Sequence, residues 1–359
     1  MVKINEKNIG DGFPCYITFE TGPTHNGLES AKRLITHASN AGADAVKFQI
    51  FDPDRLVADK KQMFSYKILL NKETGETQTI HEPLYQIFKR RYLSEIELRE
   101  IKAFCDRHNI AFFATVGFNE EIDLLEKLNC HSIKIASADV NHFPLIRRAA
   151  KTGMCIQLDT GMATIGEIEE AVQIIRSEGN EKIIIHHCPS GYPARLSSVN
   201  LKIIQTLKKI FPYPIAFSDH TPENTMDLAA VALGANMIEK TITEDRMTKS
   251  VEHIMSIEPK DMKNFVKTIR DLEIGLGNGR REISVEEIKK RDLLRRSLYL
   301  VKLAKKGQRI SECSVDFRRP GFGISPDQFD LIKNCKLNKN MDAGSMINLR
   351  DISWENEKN

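Results

Sequence analysis

The sequence predicts an α/β chain: a (β/α)8 TIM barrel followed by a small β-rich domain. Eight short apolar, β-rich runs each end in polar residues and are followed by turn signals or a helical pattern, the alternation of βα units. At 359 residues the chain exceeds what one core usually organises. After Gly275-Leu-Gly-Asn-Gly279 its character changes to a charged helical stretch and then to short strands and turns.

The eight candidate strands are 15–19, 43–48, 110–114, 132–136, 155–158, 183–187, 214–217 and 236–238. The best helical patterns are 28–41, 94–108, 165–177, 199–210, 224–233 and 259–276, and Gly42 and Gly234 supply the residue that commonly closes a helix. A long insertion, 52–92, follows the second strand; at that length it is read as a partial lid or a surface excursion. The domains are therefore expected at 1–280 and 296–359, joined by a helix at 281–295.

Composition narrows the function. A formal charge of +3 is too small to imply a nucleic-acid surface, and 28% charged with 41% hydrophobic residues is ordinary for a globular enzyme. Seven dispersed cysteines with no CxxC pair argue against a disulfide framework and for a reducing compartment. With no apolar leader and no run of about 18 apolar residues, the protein reads as cytoplasmic. HExxH, GxGxxG and GxxxxGK[ST] patterns are missing, which weakens zinc-protease, Rossmann and P-loop readings.

A barrel exposes the carboxyl ends of its strands, so residues there converge on one face. They are Glu20, Lys47 with Gln49, Thr115, Lys134 with Ser137, Asp159 with Thr160, His187 with Ser190, Ser218 with His220, and Glu239 with Lys240. Lysines inside β-rich segments require partners. Together with Thr115, Ser137, Ser190 and Ser218 they form an oxyanion-binding set. Glu20, Asp159, Asp219 and Glu239 are general acid or base candidates, and His25 and His220 are able to bind a divalent metal or donate hydrogen bonds. A phosphorylated carboxylic acid would use this whole set. Of His186 and His187, within one apolar strand, at least one is expected to face outward or make a core hydrogen bond.

These motifs resemble the sialic acid synthase family, which includes N-acetylneuraminate, legionaminic acid and pseudaminic acid synthases. The matching segments are Glu20-Thr-Gly-Pro-Thr-His-Asn-Gly27, Ala41-Gly-Ala-Asp-Ala-Val-Lys-Phe-Gln49, Ile133-Lys-Ile-Ala-Ser137, Asp159-Thr-Gly-Met162, His187-Cys-Pro-Ser-Gly-Tyr-Pro193, Ser218-Asp-His-Thr221 and Ile238-Glu-Lys240. Arg295-Arg-Ser-Leu298, Lys305-Lys-Gly307 and Arg318-Arg-Pro-Gly-Phe-Gly-Ile-Ser325 resemble the antifreeze-like (SAF, β-clip) module that follows the barrel in that family.

The resemblance implies condensation of phosphoenolpyruvate with an open-chain N-acyl hexosamine. N-acetylmannosamine and a 2,4-diacetamido-6-deoxy sugar both stay open as the acceptor. It implies that Lys47, Thr115, Lys134, Ser137, Ser190 and Ser218 hold phosphoenolpyruvate, that Glu20, Lys47, Glu239 and His220 serve catalysis, and that Gln49, Asp159 and Tyr192 contact the sugar. It further implies a domain-swapped homodimer in which Arg319 enters the partner's barrel, and a divalent metal, Mn²⁺ or Mg²⁺, on His220. The chain departs from the family where a second histidine ligand is usual: it has Thr241, so the metal is expected to be held weakly. Pro23-Thr24 and Glu252-His253 also depart from the usual pattern. The alternatives are a phosphoenolpyruvate aldol synthase for a phosphorylated sugar and a non-catalytic sugar-binding paralogue.

Overall fold

The computed structural model describes residues 1–354 and divides into two compact units, Met1–Gly277 and a second beginning at Asn278. In the first unit eight strands form a closed, all-parallel barrel whose neighbours follow chain order. They are β1 (Tyr16–Glu20), β2 (Ala45–Gln49), β3 (Ala111–Val116), β4 (Ser132–Ile135), β5 (Cys155–Asp159), β6 (Ile183–His187), β7 (Ile215–Asp219) and β8 (Met237–Thr241). Each predicted strand is present, with bounds that agree or differ by up to three residues.

Alternation of side chains along the strands divides the molecule. Ile17, Phe19, Val46, Phe48, Ile133 and Leu158 belong to the large core between strands and helices. Tyr16, Ala45, Phe113, Ile184, Ala216 and Met237 form a separate cluster inside the barrel. Val2, Ile4 and Ile9, from an amino-terminal hairpin, pack into that cluster and stopper the barrel at the strands' amino ends. The opposite end is left for polar residues.

Helix ends follow local chemistry. Ser94 and Thr164 form capping boxes with Glu97 and Glu167, which satisfy amide donors a helix start leaves unpaired. Two helices, Asn119–Lys127 and Phe143–Lys151, lie outside the predicted set. Pro144 reads as a breaker in sequence but sits in the first turn, where its missing N–H costs nothing. The predicted helix 199–210 is broken: Asn200 adopts φ 41 and separates Leu196–Val199 from Ile203–Ile210.

The insertion is a folded element. Strands Met63–Leu69 and Thr77–Pro83 pair antiparallel and lead into a helix, Leu84–Arg91. At the hairpin tip Lys72 reaches Glu258 at 2.5 Å and Asp245 at 2.8 Å, while Tyr66 and Ile68 pack with Ile87 and Val251. It is a docked wall of the barrel's polar end.

The second unit holds a helix, Val285–Leu294, and short antiparallel pairs, Ser297–Leu300 with Val315–Arg318 and Lys336–Leu337 with Ile352–Ser353. Leu298, Leu300, Ile310, Ile324, Leu337 and Ile347 form its own core. All seven cysteines are buried and unpaired by disulfides. Among the described residues no helix is long and apolar enough to cross a membrane.

Candidate active site

Extending the inward row of each strand toward its carboxyl end builds a polar layer on the apolar stopper. Thr18, Lys47, Lys134, Gln157, His186, Ser218 and Glu239 each stand two residues beyond a member of the inner cluster or continue its alternation, and all are buried. Buried charges need partners, and here they have one another. Lys47 Nζ lies 2.5 Å from Glu20 Oε2 and 2.8 Å from Glu239 Oε1. Lys134 Nζ lies 2.7 Å from Glu239 Oε2 and 3.1 Å from Asp159 Oδ1, and donates to His186 Nδ1 at 3.1 Å. Ser218 Oγ donates to Glu239 Oε1 at 2.9 Å. Glu239 is thus clasped by two ammonium groups and a hydroxyl.

The same geometry separates the carboxyls' acidities. Burial opposes ionisation of Glu239, but Lys134 and Lys47 outweigh it and hold its pKa well below the ordinary range. Glu20, for which burial outweighs Lys47 and the Glu239 charge adds to the effect, is pushed up to about 7. Asp159 is raised, chiefly by burial against the pull of Lys134. Burial and the Lys134 ammonium hold His186 neutral; its Nε2–H donates to Gln157 Oε1 at 3.0 Å, and Gln157 donates to Ser132 Oγ at 2.8 Å. One carboxylate fixed as an anion beside one titrating near neutrality is the division of labour acid–base catalysis requires.

Above this layer opens a cavity of about 440 Å³. The NeuB family model matches residues 34–281, more than half of the chain. The chain belongs to the NeuB family. It is 36% identical over 352 residues to the N,N'-diacetyllegionaminic acid synthase of Legionella pneumophila, covering 96% of this chain and 97% of that protein. It is 31% identical over 348 residues to a pseudaminic acid synthase of Campylobacter jejuni, covering 96% and 98%. Among solved structures, the N-acetylneuraminic acid (sialic acid) synthetase of Leptospira borgpetersenii in complex with citrate is similar with a TM-score of 0.69 and 32% identity, over 82% of this chain and 98% of that one.

Placed in this NeuB-family barrel, most of the predicted site residues meet at the cavity. Glu20, Lys47, Gln49, Thr115, Ser137, Asp159, Tyr192, Ser218, His220 and Glu239 line it. Lys134 lies in the layer beneath, fully buried. Ser190 stands beside Ser137: a Cβ on Gly161 would fall 2.9 Å from Ser190 Oγ, 3.2 Å from Ser137 Oγ and 2.6 Å from the Cys188 carbonyl. Only glycine permits that approach. Arg319 belongs to the second unit, exposed, with Nε donating to the Leu294 carbonyl at 2.7 Å.

Three strand-end candidates point the wrong way for chemistry, because period two alternates faces. Lys240 is turned toward the helices, where Asp219, Asp227 and the carbonyls of Thr221 and Glu223 surround it. Asp219 is therefore its structural partner and no acid–base group. His187 faces outward too, with Nε2 2.6 Å from the Val199 carbonyl oxygen. His25 is buried against Phe48 and does not line the cavity.

The insertion expected as a partial lid and the flagged Glu252 do border the cavity, but the sequence reading named none of the wall residues Phe51, Phe64, Leu84, Ile87, Phe88 and Arg91. A signal existed in Leu84, Ile87, Phe88 and Arg91, whose i, i+3, i+4, i+7 spacing puts the arginine on an apolar helical stripe.

The implied metal has a poor seat. His220 Nδ1 donates to the Pro189 carbonyl at 3.1 Å, which leaves the Nε2 lone pair available, and Thr241 Oγ1 donates to Glu252 Oε2 at 3.4 Å. Among the described residues no three His, Cys, Asp or Glu side chains stand together as an ion requires. The donor set does not fit a protein-held ion.

Proposed function

We propose that this chain condenses phosphoenolpyruvate with an open-chain N-acyl hexosamine, N-acetylmannosamine or a 2,4-diacetamido-6-deoxy sugar, to give a nine-carbon 2-keto acid and phosphate. The observation that carries the reading is the inward layer in which Lys47 and Lys134 share Glu239 beneath the cavity. The names of the relatives, synthases of legionaminic and pseudaminic acids, support the product class.

Carbon 3 of phosphoenolpyruvate forms the new bond to the aldehyde carbon, and the aldehyde oxygen takes a proton. Water adds to the cationic carbon 2 and loses a proton; phosphate then departs and leaves the ketone. Lys47, Thr115, Ser137, Ser190 and Ser218 receive the phosphate and carboxylate, and Lys134 adds its charge from the layer beneath, since an oxyanion needs cationic charge with several donors. Glu239, fixed as an anion, offsets the charge at carbon 2. Glu20, titrating at about 7, protonates the aldehyde oxygen. Gln49, Asp159 and Tyr192 contact the sugar chain from the cavity walls.

The test is to incubate the protein with phosphoenolpyruvate, Mn²⁺ and each acceptor, and to measure phosphate release with mass detection of the acid. Acceptor-dependent release matched by the acid is expected; no release with any acceptor would overturn the reading and favour a sugar-binding paralogue.

The proposal includes the domain-swapped homodimer, with Arg319 of one copy completing the site of another. Arg319→Ala should lower sugar turnover while phosphoenolpyruvate binding is unchanged; unchanged turnover in the variant would remove Arg319 from the site.

A further inference from the structure

Arg91 ends the helix Leu84–Arg91, lines the cavity and is only 5% exposed. Its guanidinium makes one long hydrogen bond, from Nη2 to the Val251 carbonyl at 3.4 Å, and its buried Nε–H has no partner. Among the described residues no carboxylate pairs with it. Every other buried cation of the barrel's polar end, Lys47, Lys134 and Lys240, is held by at least two carboxylates. A buried, under-bonded charge is costly, and for packing alone a leucine or methionine would serve at this stripe position. The site is therefore completed by an occupant that brings an acceptor atom.

The surroundings say what kind. Phe51 and Phe88 meet edge to face, with ring centroids 5.0 Å apart, and line the same wall as Leu84 and Ile87, so the occupant carries alkyl surface. The wall around Arg91 is otherwise apolar apart from Glu252, which lines the same cavity, so it offers a phosphate no further donors. A neutral carbonyl attached to an alkyl group satisfies both conditions.

Resting on the condensation reading, we propose that Arg91 sets acceptor specificity: its guanidinium donates to the carbonyl oxygen of the acceptor's N-acyl group, whose alkyl part packs on Phe51 and Phe88. Arg91 touches the acceptor away from the reacting carbons, so it acts on binding. A site built to hydrogen-bond a substrate group discriminates strongly against the analogue that lacks it.

The experiment compares an N-acylated hexosamine, the same sugar with a free amine, and its 6-phosphate, each with phosphoenolpyruvate, for the wild type, Arg91→Met and Arg91→Lys. In Arg91→Met the KM for the acylated acceptor should rise about tenfold or more, the acyl-over-amine preference should collapse, and the KM for phosphoenolpyruvate should stay within about twofold. Arg91→Lys should recover part of the preference. The melting temperature of Arg91→Met should be unchanged or higher, since an unpaired buried charge is removed; an arginine kept for structure would lower it. A folded Arg91→Met that keeps its acyl preference would overturn the proposal, as would a variant too unstable to purify, or a preference for the 6-phosphate that Arg91→Met abolishes. No acid from any acceptor with the wild type would instead overturn the condensation reading itself, and this inference with it.

Discussion

Two buried ion clusters stand back to back at the ends of β7 and β8, built from the same residue types one position apart. Facing the helices, Lys240 is held by Asp219, by Asp227 at 3.2 Å and by two backbone carbonyls at 2.7 Å, which leaves its ammonium saturated. Burial, and then the Asp219 charge, hold the Asp227 carboxyl well above its ordinary range, and the cluster is closed to the cavity. Facing inward, Glu239 shares Lys47 and Lys134 with Glu20 and Asp159, and both Lys47 and Glu239 border open space. Composition does not separate structural ions from chemical ones. Direction does, together with whether the partners leave room for a substrate to replace them.

The largest effects should come from breaking each cluster in turn. Glu239→Gln should reduce kcat/KM by about a thousandfold in the folded protein, because the proposed preorganised charge at the reacting carbon is lost, and should also lower stability, because Lys47 and Lys134 each lose a buried partner. Lys240→Met should lower stability by about 3 to 5 kcal/mol while the folded fraction keeps its activity. Phosphate-release kinetics alongside denaturant melts check both, and an inactive but stable Lys240→Met would erase the distinction.

A smaller effect concerns Glu20. With its pKa at about 7, the pH profile of kcat/KM should inflect near neutrality in the wild type and lose that inflection in Glu20→Gln. The sign for stability follows from linkage. The folded chain keeps this proton at pH values where the unfolded carboxyl, at 4.5, has released it. The contribution is therefore complete below 4.5 and is lost as pH rises through about 7. Glu20→Gln should flatten the denaturant midpoint over that window; an unchanged slope would show that Glu20 ionises normally.

The smallest effect concerns the metal, for which the present donor set is a poor fit. Thr241→His puts an imidazole next to Glu252, which lines the cavity with His220, and should tighten Mn²⁺ by on the order of tenfold in a direct titration. Equal affinity in the two proteins would mean that Thr241 is not at the ion's place.

Much of this was legible in the sequence for a physical reason. Barrel strands are buried on both faces, so each reads as a short apolar run, and the exposed carboxyl end breaks it with Lys, Glu, Ser or Asp. Which neighbour of a strand-end pair faces inward was harder, because Glu239-Lys240 and Ser218-Asp219 carry polar residues on both faces. Counting by two from Met237 and Ala216, which pack inside the barrel, resolves it. Arg91 and Glu252 lay outside every strand-end motif, since they arrive from an insertion and from the segment after β8. The helices 119–127 and 143–151 were hidden by charge density and by Pro144.

Whether the proposed phosphoenolpyruvate site is built on the inward-facing cluster and not on the outward one is tested most directly by calorimetric titration of phosphoenolpyruvate into the wild type, Lys47→Met and Lys240→Met. Binding should be lost in Lys47→Met and retained by the folded Lys240→Met. Binding that survives Lys47→Met, or that fails equally in both variants, would contradict that placement.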